Sequence, residues 1–504
     1  MKQYIKNVPV PVALLIAAGV ALSLAQFLFN RSLWLDEASL ALNIIHRDGL
    51  ELLKPLDYLQ VAPILFLQIE KLFSLILPNS EYGLRLFPLL CFWASVWLFY
   101  QLVRKQFNSL YVMITGLSLL MFSYKFLYYS SEVKQYMPDV FMALCMFYLV
   151  LKDDKKERNK YGILAVAGAI AVFLSNVAPV ILFTCGVYLL YERFFVLRRK
   201  NILPLVAVFA AWLGIFLLYY VFFIAGHPLR EFMTQYWKDA FLPKNPFGMD
   251  FYACLLERFM LMFAGLYAYS FVDISPMYAA GISILVFGLA VLFMLGIVRS
   301  IRCGKPAPVI LGCTPILVHL CLSYFRLYPF EGRLILYLLP GVVLLCAVGF
   351  DGIAKTAFSK LKLKQYGTWL TMIFPVAFLT PTLSRFPVKK SEIRESISYI
   401  REHIKENEQI YLTSGGPVRG FQYYRDIGFA RFNKPLPNIE IENPYKWENY
   451  IDLHGKFWIV FTTGKESERK KVTLFHQFDS LGFQKLDAFE TSGASVYLYD
   501  FGEQ

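Results

Sequence analysis

Long apolar runs recur along the first 384 residues and are separated by short polar segments. A run of about 18 to 24 apolar residues has the length that spans a bilayer as a helix. The first run exceeds the apolar core of a cleavable signal peptide, and no A-x-A cleavage site follows it, so we interpret it as a retained helix. The pattern predicts eleven spans: 8–29, 83–103, 110–127, 137–151, 161–175, 177–196, 202–225, 276–298, 308–325, 333–350 and 367–384.

Three further apolar stretches, 38–53, 62–77 and 256–272, have polar residues on one side. Counting 62–77 or 256–272 as a span would invert every later loop. We therefore expect all three to be amphipathic helices that lie on the outer interface of the membrane.

The composition changes at Arg385, and residues 385–504 carry 17 basic and 17 acidic residues. The pattern predicts a small α/β domain on the outer face, so the chain divides into a transmembrane domain, 1–384, and a tail domain, 385–504. The tail shows no nucleotide loop, nucleophile elbow or metal-spaced histidines, which favours a structural or substrate-guiding lid. Its predicted elements are a helix over 389–406, strands at 409–413 and 457–463, a helix over 465–482 and a strand pair within 483–500.

Composition and charge agree with a polytopic α-helical membrane protein. Hydrophobic residues make up 57% of the chain and charged residues 17%, and the mean hydropathy is +0.48. Soluble domains carry about 25% charged residues. The net charge of +13 lies in the short inner loops, which have a balance of +15 against −2 for the outer loops before Arg385. By the positive-inside rule the N-terminus is cytoplasmic and the tail lies outside, and no nucleic-acid partner is expected.

Polar residues cluster at the outer ends of the predicted helices, beginning with Asp36 and Glu37. Asp36 precedes an amphipathic helix, so one interpretation is an N-cap, with Glu37 favoured by the helix dipole. The other interpretation is catalytic: a carboxylate beside Trp34 at the membrane surface accepts the proton of an attacking hydroxyl.

The eight cysteines include no CxxC pair, which predicts neither a zinc site nor a disulfide framework.

The segment 128–141 holds the second cluster. Asp139 lies in the first turn of the fourth predicted span, where the helix dipole favours an acid. Glu132, Lys134 and Tyr136 alternate in a short outer loop that would carry polar side chains into a cleft. The alternative for Glu132 and Lys134 is an isolated surface salt bridge, which contributes roughly 0–1 kcal/mol.

Arg333 opens the tenth predicted span, where a basic residue is unfavourable to the helix dipole. We therefore expect a partner for Arg333: a phosphate, a lipid headgroup or Glu331. An arginine provides a planar fork suited to phosphate oxygens. The alternative is a side chain that extends to the lipid headgroups.

These three places resemble GT-C fold glycosyltransferases, in particular protein O-mannosyltransferases and lipid A aminoarabinose transferases. The shared features are W-x-D-E after the first helix, the acid and base loop before the fourth, and G-R-x-x-x-Y-x-x-P in the tenth. The resemblance implies a polyprenyl-phosphate sugar donor, a general base at Asp36, a second acid at Asp139, and lipid-phosphate ligands at Lys134 and Arg333. The aminoarabinose transferases have Lys-Pro in the first outer loop, where this chain has Ala62-Pro63, so lipid A is not favoured as the substrate.

The sequence therefore predicts a membrane glycosyltransferase that moves a sugar from a polyprenyl phosphate to a glycan, lipid or protein acceptor. Asp36, Glu37 and Asp139 form the predicted catalytic set, and Glu132, Lys134, Tyr136 and Arg333 the donor-binding set. The resemblance implies a bacterial inner membrane with the tail in the periplasm. Cofactors are left open, including a divalent metal. The alternatives are a lipid or glycan transporter or flippase, disfavoured by spans almost free of charge, and a non-catalytic assembly protein.

Overall fold

The computed structural model describes residues 8–152, 157–266, 276–412, 415–429, 454–462 and 465–502. An apolar helix stands at each of the eleven predicted span positions. Seven are long and apolar enough to cross a bilayer, and four are shorter apolar helices. The prediction of a polytopic helical membrane protein is therefore confirmed. The helices are α1 (Val10–Phe29), α2 (Leu35–His46), α3 (Ile64–Ile76), α4 (Glu81–Gln106), α5 (Leu110–Met121), α6 (Tyr124–Tyr129), α7 (Tyr136–Leu151), α8 (Glu157–Leu174), α9 (Ala178–Tyr191), α10 (Leu203–Tyr219), α11 (Arg230–Tyr236), α12 (Met249–Ala264), α13 (Pro276–Arg302), α14 (Ala307–Tyr324), α15 (Leu339–Lys360), α16 (Gly367–Thr371) and α17 (Ile373–Leu383).

The chain divides into two compact units. The first contains the described residues up to Phe27 together with Ala62–Leu67 and Leu86–Arg385. The second contains Leu28–Val61, Gln68–Arg85 and the tail from Phe386 onward. The tail therefore forms one unit with most of residues 30–80, the predicted first outer loop, which carries Asp36 and Glu37.

In the first unit, α15 is the most buried of the long apolar helices and packs along α13. A Cβ on Gly296 would lie 1.9 Å from the carbonyl oxygen of Leu345, and a Cβ on Gly349 would lie 2.0 Å from that of Leu292. Only glycine permits this approach, which is a common way for apolar helices to pack where water supplies no driving force.

The predicted helix over 38–53 begins earlier, at Leu35, and ends at His46. Trp34 occupies its N-cap position, and no side-chain hydrogen bond caps the helix. Asp36 lies instead inside the first turn, so the N-cap interpretation of Asp36 is wrong. The predicted helix over 62–77 is present as α3. The one over 256–272 is present as α12, which starts and ends earlier, and residues 267–272 lie outside the described ranges.

Two polar residues of α3 form hydrogen bonds to the backbone of the first outer loop within the second unit. Gln68 Nε2 donates to the carbonyl of Gly49 at 2.6 Å. Lys71 Nζ donates to the carbonyls of Ile44 and Ile45 at 2.8 and 3.2 Å, in the last turn of α2. Cationic groups at a helix C-terminus satisfy free carbonyls and oppose the dipole. The polar side chains of Gln68 and Lys71, which argued against a membrane span over 62–77, therefore bind backbone carbonyls of the loop.

The tail contains the predicted small α/β domain, with α18 (Ile393–His403), α19 (Gly415–Asp426) and α20 (Lys465–Ser480). The strands β1 (Glu408–Leu412), β2 (Lys456–Thr462), β3 (Gln484–Thr491) and β4 (Ala494–Asp500) form one sheet in the order β1-β2-β4-β3. β1 pairs with β2 in parallel, and β4 pairs antiparallel with both β2 and β3. Helix α18 buries Ile393, Ile397 and Ile400 on one face, as predicted. Residues 413 and 463, the predicted ends of two strands, lie outside the described ranges.

Candidate functional site

Asp36 is half-buried in the first turn of α2, directly after the first predicted span. The ring of Trp34, two residues earlier, contacts a cation from the tail: Lys390 Nζ lies 3.0 Å from the ring centroid. The positive end of the α2 dipole favours the ionised carboxylate of Asp36. An ionised carboxylate in this position is able to accept a proton.

Glu37, the next residue, is fully buried between two arginines. Arg31 Nη1 donates to Glu37 Oε2 at 2.7 Å. Arg85 Nη2 lies 3.2 Å from both carboxylate oxygens, and Arg85 Nη1 donates to the carbonyl of Arg31 at 2.6 Å. Buried charges persist in proteins when they are paired in this way. The pairs join the start of α2 to the segment before it and to the start of α4.

The segment 128–136 is more buried than the sequence suggested. Glu132 is 0% exposed and Lys134 is 5% exposed, so the interpretation of these two residues as a surface salt bridge is wrong. Tyr128 donates its hydroxyl hydrogen to Glu132 Oε1 at 3.0 Å. The backbone N–H of Lys134 donates to the carbonyl of Glu132 at 2.7 Å, which fixes a tight turn between them.

Asp139 lies in the first turn of α7, as predicted, and is buried. Ser175 donates its hydroxyl hydrogen to Asp139 Oδ1 at 2.6 Å. Among the residues that the structure describes, this hydroxyl is the side-chain partner of Asp139. A neutral donor leaves most of the acceptor capacity of a carboxylate for other groups.

Arg333 opens a 3₁₀ helix, Gly332–Leu338, that leads into α15. Its guanidinium carbon lies 5.5 Å from the ring centroid of Tyr136 and 5.9 Å from that of Trp237, so two aromatic rings flank the cation. Contacts of this kind attract the cation and limit the orientations of the guanidinium plane. Glu331, the predicted ionic partner, lies 3.2 Å from Arg258.

His319 fixes the loop that precedes Arg333. It is fully buried, with Nε2 3.0 Å from the carbonyl oxygen of Pro329 and Nδ1 2.9 Å from the hydroxyl of Tyr337. The carbonyl only accepts, so Nε2 carries the hydrogen and Nδ1 accepts from Tyr337. Tyr328 lies in the same loop. Burial, followed by the charges of the nearby Asp139 and Tyr136, raises the pKa of Tyr328 well above its ordinary value. Arg333 has the opposite, smaller effect on this pKa. Tyr328 therefore remains a neutral hydrogen-bond donor.

Sequence reasoning missed several polar residues of the first unit. Lys125 falls within the predicted span 110–127, but α5 ends at Met121 and Lys125 lies in the separate short helix α6. It is buried, and its Nζ lies 3.4 Å from the carbonyl oxygen of Gly332. A Cβ on Gly265 would lie 2.4 Å from the same Nζ. The signal for Lys125 in the sequence was a lysine near the end of an apolar run. Arg258 and Trp237 gave no signal, because the residues that they contact, Glu331 and Arg333, are distant in sequence.

Five of the predicted residues lie in the first unit: Arg333 contacts Tyr136, Glu132 and Lys134 share a bonded turn, and Asp139 acts on Tyr328 together with Tyr136 and Arg333. Asp36 and Glu37 belong to the second unit. No group of three or more metal-ligating side chains is present among the described residues.

Comparisons with known proteins agree with the resemblance that the motifs predicted. Residues 61–220 match the family model of dolichyl-phosphate-mannose-protein mannosyltransferases. The crystal structure of ArnT from Cupriavidus metallidurans bound to undecaprenyl phosphate is 13% identical, with a TM-score of 0.53 over 97% of this chain and 97% of that one. The apo structure of the same protein is 12% identical, with a TM-score of 0.55 over 96% and 97%. No curated protein sequence matches the chain.

The predicted fold class, a GT-C-like helical membrane protein with a small tail domain, is therefore confirmed, because the likeness to ArnT extends over nearly the whole chain. The match to the mannosyltransferase model contains Glu132, Lys134, Tyr136 and Asp139. Asp36, Glu37 and Arg333 lie outside it, so their roles are argued from the geometry of their own surroundings.

Proposed function

We propose that the protein is a membrane glycosyltransferase that moves a sugar from a polyprenyl-phosphate donor to a glycan, lipid or protein acceptor at the outer face of the membrane. The observation that carries the proposal is a fold shared along its length with ArnT, a protein whose crystal structure contains undecaprenyl phosphate. The match of residues 61–220 to the family model of dolichyl-phosphate-mannose-protein mannosyltransferases supports the same reaction class.

The proposed roles of the basic residues follow from the negative charge that develops during sugar transfer. As the sugar leaves its carrier, negative charge develops on the lipid phosphate, and fixed cations that face this charge stabilise the transition state. Arg333 and Lys134 are the proposed phosphate ligands. The rings of Tyr136 and Trp237 flank the Arg333 guanidinium and limit its orientations, which reduces the reorganisation needed when charge develops.

The acids divide into different roles. Asp36 is the proposed general base that takes the proton of the acceptor hydroxyl. Glu132 and Asp139 position the sugar or a metal ion, since both are buried and both are bonded to neutral hydroxyls. Glu37 belongs to the catalytic set as a positioning residue, because its buried ion pairs fix the first turn of α2, which carries Asp36.

A bacterial inner membrane is the proposed location, and the charge pattern of the loops supports the proposed orientation in it. The basic inner loops would face the cytoplasm with the N-terminus, and the tail would lie in the periplasm. Acceptors of an outer-face transferase are then molecules of the cell surface or of the outer leaflet.

The discriminating experiment is the substitution Asp36→Asn. Because Asp36 is not the N-cap of α2, an amide of the same shape should leave folding nearly unchanged, but it does not accept a proton. We expect transfer to fall by about 100-fold or more, since general-base catalysis contributes roughly 10²–10⁴-fold. The measurement is transfer of radiolabelled sugar from undecaprenyl-phosphate-mannose and undecaprenyl-phosphate-aminoarabinose in membranes, which supply the acceptor.

Asp57→Asn is the matched control. Asp57 lies in the same unit, its side chain is 61% exposed, and it pairs with Arg47 at 2.7 Å. This variant should transfer sugar at the wild-type rate. Full transfer by Asp36→Asn would assign Asp36 to a structural role and require a base elsewhere, whereas absence of transfer by the wild-type protein with every donor would refute the proposed reaction.

A further inference from the structure

The tail binds the segment immediately before Asp36 within the second unit. The backbone N–H of Leu33 donates to the hydroxyl of Tyr424 at 3.0 Å. Ser32 Oγ donates to Glu395 Oε2 at 2.8 Å and accepts from the backbone N–H of Arg394 at 3.2 Å. Two helices of the tail, α18 and α19, therefore hold the chain three to four residues ahead of Asp36, through the backbone N–H of Leu33 and the hydroxyl of Ser32.

Arg394 also joins the two ends of the first outer loop. Its Nη1 lies 2.9 and 3.0 Å from the two oxygens of Glu81, which begins α4. Its Nη2 donates to the carbonyl of Asn30, which follows α1. Tyr424 donates to Glu81 at 2.7 Å. Burial, and then the charge of Glu81, raises the pKa of Tyr424 well above its ordinary value, so the hydroxyl keeps its hydrogen.

Helix α19 contacts α2 at its far end as well. Asp426 Oδ2 lies 2.9 Å from His46 Nε2, in the last residue of α2. Helix α2 is thereby held by the tail before its first turn and at its last residue.

Helix α19 also contacts a strained turn of the first outer loop, at Tyr58 and Leu59. Tyr58 and Leu59 have φ values of 60° and 56°, a left-handed backbone that residues with a Cβ rarely adopt. Gln422 Nε2 donates to the hydroxyl of Tyr58 at 3.2 Å, and the guanidinium of Arg419 lies 4.0 Å from its ring centroid. Strain of this kind persists when surrounding contacts determine the conformation.

We propose that the tail domain is a positioning device for Asp36, and that Arg394 and Tyr424 are its principal positioning residues. The inference rests on the proposed function of Asp36 as the general base. A base must be held close to its productive geometry, and a displacement of about 1 Å is able to lower a rate by about 100-fold. The proposed phosphate ligands Lys134 and Arg333 belong to the other unit, where Arg333 contacts Tyr136.

The test uses the full-length protein with the variants Arg394→Ala, Arg394→Lys and Tyr424→Phe. Arg401→Ala is the matched control, because Arg401 is exposed on the same helix and donates to the carbonyl of Phe429. The first readout is hydrogen exchange of the peptides that cover residues 30–48, which requires no substrate. The second is kcat and donor KM with the polyprenyl-phosphate sugar that the wild-type protein uses.

We expect Arg394→Ala to speed exchange in 30–48 at least tenfold and to lower kcat by about 10- to 100-fold, with donor KM within about twofold of wild type. Arg394→Lys should recover part of both effects, since it keeps the charge but not the fork. Tyr424→Phe keeps the ring, so it serves if Arg394→Ala does not fold, and it should show a smaller change in the same direction. Arg401→Ala should change neither readout.

Unchanged exchange in 30–48 would overturn the inference whatever the activity. Faster exchange with wild-type kcat would overturn it too, because the loop would then be loosened without loss of catalysis. An increase in donor KM at constant kcat would assign the tail to substrate binding instead. If the wild-type protein transfers no sugar, the proposed function fails and the catalytic part of the inference fails with it, while the exchange result still reports whether the tail holds the loop.

Discussion

Two buried acids lie in the first turns of helices and are held in opposite ways. Glu37, in the first turn of α2, lies between the guanidinium groups of Arg31 and Arg85. Asp139, in the first turn of α7, accepts a hydrogen bond from the neutral hydroxyl of Ser175. Both positions follow the rule that acids favour the first turn of a helix, so the helix dipole alone does not distinguish them.

The difference lies in the compensation of charge. The Glu37 carboxylate has two cations bonded to it, so it is an ionised structural group whose bonding capacity is taken up by the protein. Among the described residues the Asp139 side chain has one neutral partner, and it is able to bind an incoming hydroxyl or cation. A third buried acid, Glu70 of α3, extends the series, because neither carboxylate oxygen has a hydrogen-bond partner in the described part of the chain.

The largest effect on stability is expected for Glu37→Gln. An amide in this position removes the carboxylate that Arg31 and Arg85 share, and loss of one member of a buried ion pair costs roughly 3–5 kcal/mol. We expect a corresponding fall in the free energy of unfolding, measured as thermal unfolding of the purified protein in detergent. Asp57→Asn, which removes an exposed pair, should cost about 0–1 kcal/mol. Equal losses of stability in the two variants would show that the buried ion pairs of Glu37 stabilise the fold no more than an exposed pair does.

An intermediate effect, of opposite sign, is expected for Glu70→Gln. Burial raises the pKa of Glu70 well above its ordinary value of 4.5, so the folded protein retains a proton that the unfolded chain releases. As the pH rises above about 4.5, this difference lowers the stability of the wild-type protein. Glu70→Gln removes it, so the variant should unfold at a higher temperature than wild type at pH 8 and differ less at pH 5. A difference that does not change with pH would contradict the expected protonation of Glu70.

The smallest effect on stability is expected for Asp139→Asn, because an amide oxygen still accepts the hydrogen bond of Ser175. The free energy of unfolding should change by less than about 1 kcal/mol. Sugar transfer should nevertheless fall about tenfold or more, since a hydrogen bond to a charged group is worth roughly 1.5–3 kcal/mol. Ser175→Ala separates the two roles, because it removes the hydroxyl and keeps the carboxyl group of Asp139. Severe unfolding of Asp139→Asn would place Asp139 with Glu37 as a structural acid.

The fold was largely predictable because the bilayer constrains it. A spanning helix needs a continuous apolar run, and every run of the first 384 residues corresponds to a helix of the structure. The tail elements followed from short-range patterns, such as the spacing of Ile393, Ile397 and Ile400 on α18. Boundaries were less predictable: the start of α2 differed by three residues, which moved Asp36 from the cap into the first turn.

The contacts of the candidate site were not predictable, because they join residues that are far apart in sequence. Arg85 is 48 residues from Glu37, and Tyr424 is 343 residues from Glu81. Burial was missed for the same reason: Glu132 and Lys134 have the composition of a surface loop, and only tertiary packing makes them interior residues. Local rules selected the candidate residues, whereas their partners required the structure.

The glycine contacts between α13 and α15 determine how freely this sequence is able to drift. Gly296 and Gly349 each face a carbonyl oxygen of the other helix, so any larger residue must separate the two backbones. Ile284 and Phe287 on the same α13 are 73% and 65% exposed, and many apolar residues would serve there. In a saturation library the two glycines should be among the least replaceable positions of α13 and α15, although neither is a candidate site residue.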